Sequence, residues 1–179
     1  MKLPWATKSE EDDPYWDFFL NSAPADDRNS LLTAIRNAPD GVVNPVKEDI
    51  HTPEIMAQHT KELARYLGAE AVAIARTDRP DHPYAVLIGM RSDVDPRQAP
   101  GIGGQLAIQK GMYVVFILSA WIREMGYQGT AKIACDSSEL AVRAGMGSLD
   151  SSGRVVSPTL GPLAIADAIL TNLPLAVDG

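Results

Sequence analysis

The sequence has one cysteine, Cys135, and three histidines among 179 residues. One thiol cannot form an internal disulfide, an all-cysteine zinc site or an iron–sulfur cluster held by this chain alone. His51 and His59 lie eight residues apart, close enough to share a helical face, but no third ligand stands at a metal spacing and His51 falls in a helix-entry segment. The histidines, His82 included, are read as solvated or capping residues, and no metal site is expected. Positive charge is also scarce: 16 Lys and Arg against 23 Asp and Glu give a net charge of −7. That balance argues against a nucleic-acid or anionic-membrane partner. The longest apolar run, Met112–Trp121, is about ten residues, too short to span a bilayer. Met1–Trp5 has no apolar core for a signal peptide, so a cytoplasmic location is expected, in keeping with one unpaired thiol. Gly-x-Ser-x-Gly, Walker and dinucleotide-glycine motifs are missing, as are repeats.

What is present divides into two parts. Residues 1–50 form an acidic, aromatic arm, with Glu10–Asp13 and Asp26-Asp27 interleaved with Trp5, Tyr15, Trp16, Phe18 and Phe19. Such an arm packs its rings over a domain surface or serves as a partner-binding or lid segment. Short helices are expected at Tyr15–Asn21 and Ser30–Asn37, with Ser30 as N-cap of the second. Residues 51–179 form one regular domain. Thr52 and Pro53 open a helix that stops at Gly68. Strands are expected at Glu70–Arg76 and Tyr84–Met90, separated by a turn over Asp78–Pro83. A long apolar helix covers Leu106–Met125, a third strand Thr130–Cys135, a short helix Ser138–Met146 and a last strand Leu163–Leu170. The order α-β-β-α-β-α-β predicts an α+β or mixed α/β sandwich, a central mixed sheet flanked by helices.

Gly101-Ile102-Gly103-Gly104 precedes a helix and has backbone donors to offer an anion, but it does not follow a strand directly and is read as a helix-entry loop. The stretch from Asp136 to Leu175 is the most informative. It holds a helix stopping at Gly145, then a loop with Gly145, Gly147, Gly153 and Gly161, then a strand. A loop of this kind lets a large flat ligand approach the main chain closely.

Three motifs in that stretch, Ala144-Gly-Met-Gly147, Ser157-Pro-Thr-Leu-Gly-Pro162 and Leu170-Thr-Asn-Leu-Pro-Leu175, resemble the corrinoid-binding domain of reductive dehalogenases and epoxyqueuosine reductases. Those families run Ala-Gly-Leu-Gly, Thr-Pro-x-Phe/Tyr-Gly-Pro and Thr-Asp-Leu-Pro-Leu in the same order. The likeness covers roughly residues 60–175. It implies a nitroreductase-like α/β sandwich holding cobalamin base-off, without an axial histidine. It also implies cofactor contacts at Gly145, Met146, Gly147, Ser148 and Leu149, and at Ser157, Pro158, Thr159, Leu160, Gly161 and Pro162. Asp136 stands where epoxyqueuosine reductases use an acid as proton donor, and it is equally a helix cap. Tyr113 and Tyr127 are residues that could donate a proton as a dehalogenase tyrosine does, although Tyr113, inside an apolar helix, also reads as a packed core tyrosine. Arg143 and Arg154 flank the loop and could meet the corrin edge or simply face solvent.

The departures are as informative. In those enzymes a ferredoxin-like segment with eight cysteines follows Leu-Pro-Leu; here Ala176–Gly179 follow Leu175, and Cys135 is the one cysteine. No iron–sulfur cluster is therefore expected in this chain. The expected function is a corrinoid carrier, or a cobalamin-dependent reductase fed by a separate ferredoxin-type donor. A flavin-binding nitroreductase-like oxidoreductase and a non-catalytic interaction domain remain alternatives. A homodimer is compatible with the implied fold.

Overall fold

The computed structural model describes residues 14–179; Trp5 and the acidic run Glu10–Asp13 lie outside the described residues. Five helices and six strands follow one another as α1 (Pro14–Asn21), α2 (Leu31–Asn37), α3 (Pro53–Tyr66), β1 (Ala71–Arg76), β2 (Tyr84–Arg91), α4 (Leu106–Glu124), β3 (Gly129–Thr130), α5 (Ser137–Arg143), β4 (Ser148–Leu149), β5 (Val155–Ser157) and β6 (Gly161–Thr171). The expected α+β class is observed. Local chemistry sets the helix starts: Ser30 Oγ accepts from Thr33 N–H at 3.3 Å, and Thr52 Oγ1 accepts from Ile55 N–H at 3.3 Å with Pro53 at the first helical position.

The sheet differs from the expected mixed sheet in being antiparallel at every pairing. The reason is the placement of β6. β2, α4 and β3 form a crossover that leaves β2 and β3 pointing the same way, but β6 runs between them in the opposite direction. One edge of β6 pairs with β2 along most of its length. Its other edge pairs with β5 at its start and with β3 at its end. The third strand is also shorter than expected. Thr130 Oγ1 accepts from Lys132 N–H at 3.1 Å, a side-chain turn that draws the chain out of the ladder after two residues.

Side-chain alternation divides the core between the two faces of the sheet. Ile74, Val86, Ile88, Met90 and Ile169 pack against α3 and α4. Ala73, Ala75, Ala85, Leu87 and Leu170 pack against Leu140 and Ala141 of α5 and its C-cap Ala144. The alanines on the second face let α5 lie close to the strands. α4 is long and apolar enough to cross a membrane by those two criteria alone, yet it is the central helix of the core, with Val114, Val115, Leu118 and Ile122 at most 2% exposed.

β6 carries a bulge. Leu87 pairs with Ala168 and Gly89 with Ile165, so Ile88 faces two residues, Ala166 and Asp167. The extra residue switches the inward phase: Leu163 and Ile165 face α5 before the bulge, and Ala168 and Leu170 face it afterwards.

Residues 172–179 close the domain along β1. Asp178 N–H donates to Ile74 O at 2.8 Å, its Oδ2 accepts from Ile74 N–H at 2.9 Å, and Lys61 Nζ meets Oδ1 at 2.5 Å. The free edge of β1 is thereby partly capped.

Candidate functional site

The glycine-rich stretch after α5 is a three-stranded meander, β4–β5–β6, rather than the open connecting loop its composition suggests. Two turns build it. In the first, Asp150 Oδ1 accepts from Ser152 N–H, Ser152 Oγ and Arg154 N–H at 2.7–2.9 Å, and Gly153 takes φ +78°. In the second, Ser157 Oγ accepts from Thr159 and Leu160 N–H at 3.4 Å, and Gly161 takes φ +76°. Both turns use a side-chain acceptor followed by a glycine in the left-handed region. The Asp150 carboxyl is held below the usual carboxylate range, by the Ser152 hydroxyl first and then by the Arg154 N–H.

The meander brings together the two segments that the resemblance implicates. Ser148 pairs with Val156, and Ser157 with Gly161. Gly145, Ser148, Leu149, Pro158 and Thr159 are exposed, with Leu149 at 50%. Gly147, Leu160, Gly161 and Pro162 are half-buried. Met146 and Ser157 turn inward at 8% and 7% exposure. A Cβ built on Gly147 would stand 2.1 Å from Val156 O. Its missing side chain therefore admits the protein's own β5, not a ligand.

The remaining predicted residues lie apart. Asp136 is exposed and caps α5, its Oδ1 accepting from Glu139 N–H at 2.9 Å. Tyr113 is 53% exposed, so its reading as a packed core residue is corrected; the apolar stripe of α4 turns inward one position away, at Met112 and Val114. Tyr127 is buried and donates to Glu48 O at 3.2 Å. Arg154 Nη2 donates to Ser92 O at 2.6 Å, and Arg143 Nη2 to Arg76 O at 3.4 Å, so both arginines brace the main chain. Cys135 is half-buried, 3.8 Å from Ser137 Oγ. The three histidines lie before α3 (His51), on α3 (His59) and in the β1–β2 turn (His82), none of them on the meander.

Two cavities flank α4. The larger, about 1040 Å³, lies between α1 and the helix and includes Tyr113. The smaller, about 450 Å³, lies between α2, α4, residues 131–135 and the β6 bulge, and includes Cys135. The exposed meander residues line neither. The bulge aims Asp167 into the smaller cavity, 3.4 Å from Arg36 Nη2. Burial pushes the Asp167 carboxyl above its ordinary range, and Arg36 offsets part of that rise.

No protein-family model matches the sequence, and no curated protein does. Solved structures do. A reductive dehalogenase whose structure suggests a mechanism for B12-dependent dehalogenation superposes at a TM-score of 0.69 with 25% identity, over 89% of this chain and 26% of its own. The catabolic reductive dehalogenase NpRdhA superposes at 0.63 with 26% identity, over 83% of this chain and 23% of its own. Its complex with 3-bromo-4-hydroxybenzoic acid gives 0.64 at 26% identity. This chain is built like part of a reductive dehalogenase. It spans about a quarter of the length of those proteins.

Within this dehalogenase-like domain, sequence reading missed Asp167, Arg36 and Lys110. Asp167 had a signal: it is the single charged residue of Gly161–Thr171. Lys110 had the same one, as the single charge between Leu106 and Trp121. Arg36 had none, because its partner lies 131 residues away.

Proposed function

We propose that the chain is a corrinoid-binding domain that holds cobalamin against the exposed face of the β4–β5–β6 meander. It would act as a carrier, or as the cofactor domain of a reductase fed by a separate ferredoxin-type donor. The observation carrying this reading is that the two segments 145–149 and 157–162, separated by seven residues in sequence, fold together in one meander, in a chain whose likeness to B12-dependent dehalogenases covers most of its length.

The donor set suits the group. A corrin is an apolar macrocycle rimmed with amides, and the exposed residues of the meander include both apolar groups, Leu149 and Pro158, and hydroxyls, Ser148 and Thr159. The base-off mode is carried over from the resemblance; the three histidines lie off the meander, so no histidine ligand is proposed. Bound cobalt corrin supplies low-valent metal chemistry for reductions. This chain's own residues present the surface: Asp150 and Ser157 fix the two turns, and Gly147 lets β4 close on β5. Asp136 keeps its capping bond and Tyr113 lies on the far cavity, so neither is assigned proton transfer here.

The test is retention. Purified protein is incubated with hydroxocobalamin, or separately with flavin mononucleotide, and desalted. A retained base-off corrinoid spectrum is expected, with Asp136→Asn binding as well as the parent. Retained yellow flavin, or colourless protein from both incubations, overturns the reading.

A further inference from the structure

The cavity between α1 and α4 is separate from the meander surface. Its volume of about 1040 Å³ is at the upper end of what small-molecule sites occupy. One wall is aromatic. Trp16 and Phe19 stand edge to face with ring centres 5.7 Å apart, facing Leu106, Ala107 and Met90 across the space. This wall is seated by glycine. Gly101 N–H donates to Leu20 O at 2.7 Å and Gly103 N–H to Phe19 O at 2.9 Å. A Cβ on Gly103 would stand 2.2 Å from the Phe19 ring. The glycine loop that resembles an anion-binding turn is thus the socket for α1.

The acidic groups on the lining are each held by a donor of the protein. Glu70 Oε2 accepts from Arg91 N–H at 2.6 Å, the Arg91 guanidinium meets Asp93 at 3.5 Å, and Asp17 accepts from Asn21 at 2.8 Å. By contrast, among the described residues the Lys110 ammonium has no hydrogen-bond or ion-pair partner. Tyr113, one helical turn on, shares that face of α4 and adds a phenol hydroxyl. A ring-lined space with one unpaired cation beside a phenol suits an apolar body whose acidic group reaches that cation.

We infer that this cavity is a second ligand site, taking a small amphipathic monoanion whose acidic group meets Lys110 and whose apolar body lies against Trp16 and Phe19. The site stands whether or not the meander binds a corrinoid.

The fluorescent monoanion 8-anilinonaphthalene-1-sulfonate is a direct probe, titrated into the full chain with decanoate as competitor. One saturable site is expected, displaced by decanoate, and weakened at least about tenfold by Trp16→Ala, which removes the ring wall. Lys110→Glu weakens binding at least about tenfold while Lys110→Arg stays within about threefold, as a charge contact requires. Gly103→Val, which unseats Phe19 without touching Lys110, also abolishes binding. Unchanged affinity in Lys110→Glu, several equivalent dye sites, or unchanged affinity in Trp16→Ala overturns the proposal. Displacement of the dye by hydroxocobalamin overturns it too, because the cavity would then belong to the corrinoid. Hydroxocobalamin retained with no dye bound overturns this proposal alone, and dye bound with no corrinoid retained overturns only the meander reading.

Discussion

Gly147 and Ser148 are neighbours with opposite demands on a side chain. The β carbon of any larger residue at 147 would stand 2.1 Å from Val156 O, so Gly147→Val forces β4 from β5. We expect a loss of about 2 kcal/mol or more in denaturant unfolding, the scale of overpacking a filled site. Ser148 is exposed, with its side chain directed to solvent. Ser148→Trp should therefore change stability by no more than about 0.5 kcal/mol, yet place an indole where the corrinoid is proposed to lie. Lost cobalamin retention with unchanged unfolding is the expected result; full retention would move the cofactor off this surface. Sequence composition singled out both positions, but it could not separate a glycine needed by a ligand from one needed by the neighbouring strand. That distinction depends on what stands opposite position 147, the Val156 carbonyl nine residues further along the chain.

At the scale of elements, the bulge in β6 has the largest electrostatic consequence. It turns Asp167 out of the strand's alternation into the smaller cavity, where burial raises its carboxyl above the ordinary range more than Arg36 lowers it. A carboxyl raised in the folded state binds its proton more tightly there than in the unfolded chain. Stability therefore falls as pH rises from the ordinary carboxyl range through the folded value, and the cost persists above it. Asp167→Asn should raise the melting temperature at neutral pH, with the gain shrinking to nothing as the pH falls below the ordinary carboxyl range. A variant less stable than the parent at pH 7 would show that the Arg36 pair outweighs burial. The strand was legible as an apolar run and its acid as an oddity, whereas the bulge was not, because register is set by pairing with β2 and not by β6 alone.

For the whole molecule, cobalamin binding and folding are linked. A ligand that binds only the folded state adds RT ln(1 + [L]/Kd), about 2.7 kcal/mol at a hundredfold excess over Kd. Hydroxocobalamin should raise the melting temperature of the parent in a concentration-dependent way and leave Ser148→Trp unmoved. Equal shifts in both proteins would place the ligand elsewhere. Leu118, fully buried where α4 crosses the sheet, gives the packing reference. Leu118→Ala should cost about 2–5 kcal/mol without altering where ligands bind.

The helices were set by the sequence alone, because Ser30, Thr52–Pro53 and the apolar stripe of α4 act over a few residues and need no distant partner. The order of the three glycine- and proline-bearing motifs was equally plain, and with it the likeness to the dehalogenases. Tertiary structure decided the rest. The all-antiparallel sheet arises because the last strand inserts between β2 and β3, the inward turn of Met146 because Gly89 leaves space beneath it, and the seat of α1 because Gly101 and Gly103 approach its main chain. Each of these joins residues dozens of positions apart, where no local propensity reaches and only packing chooses.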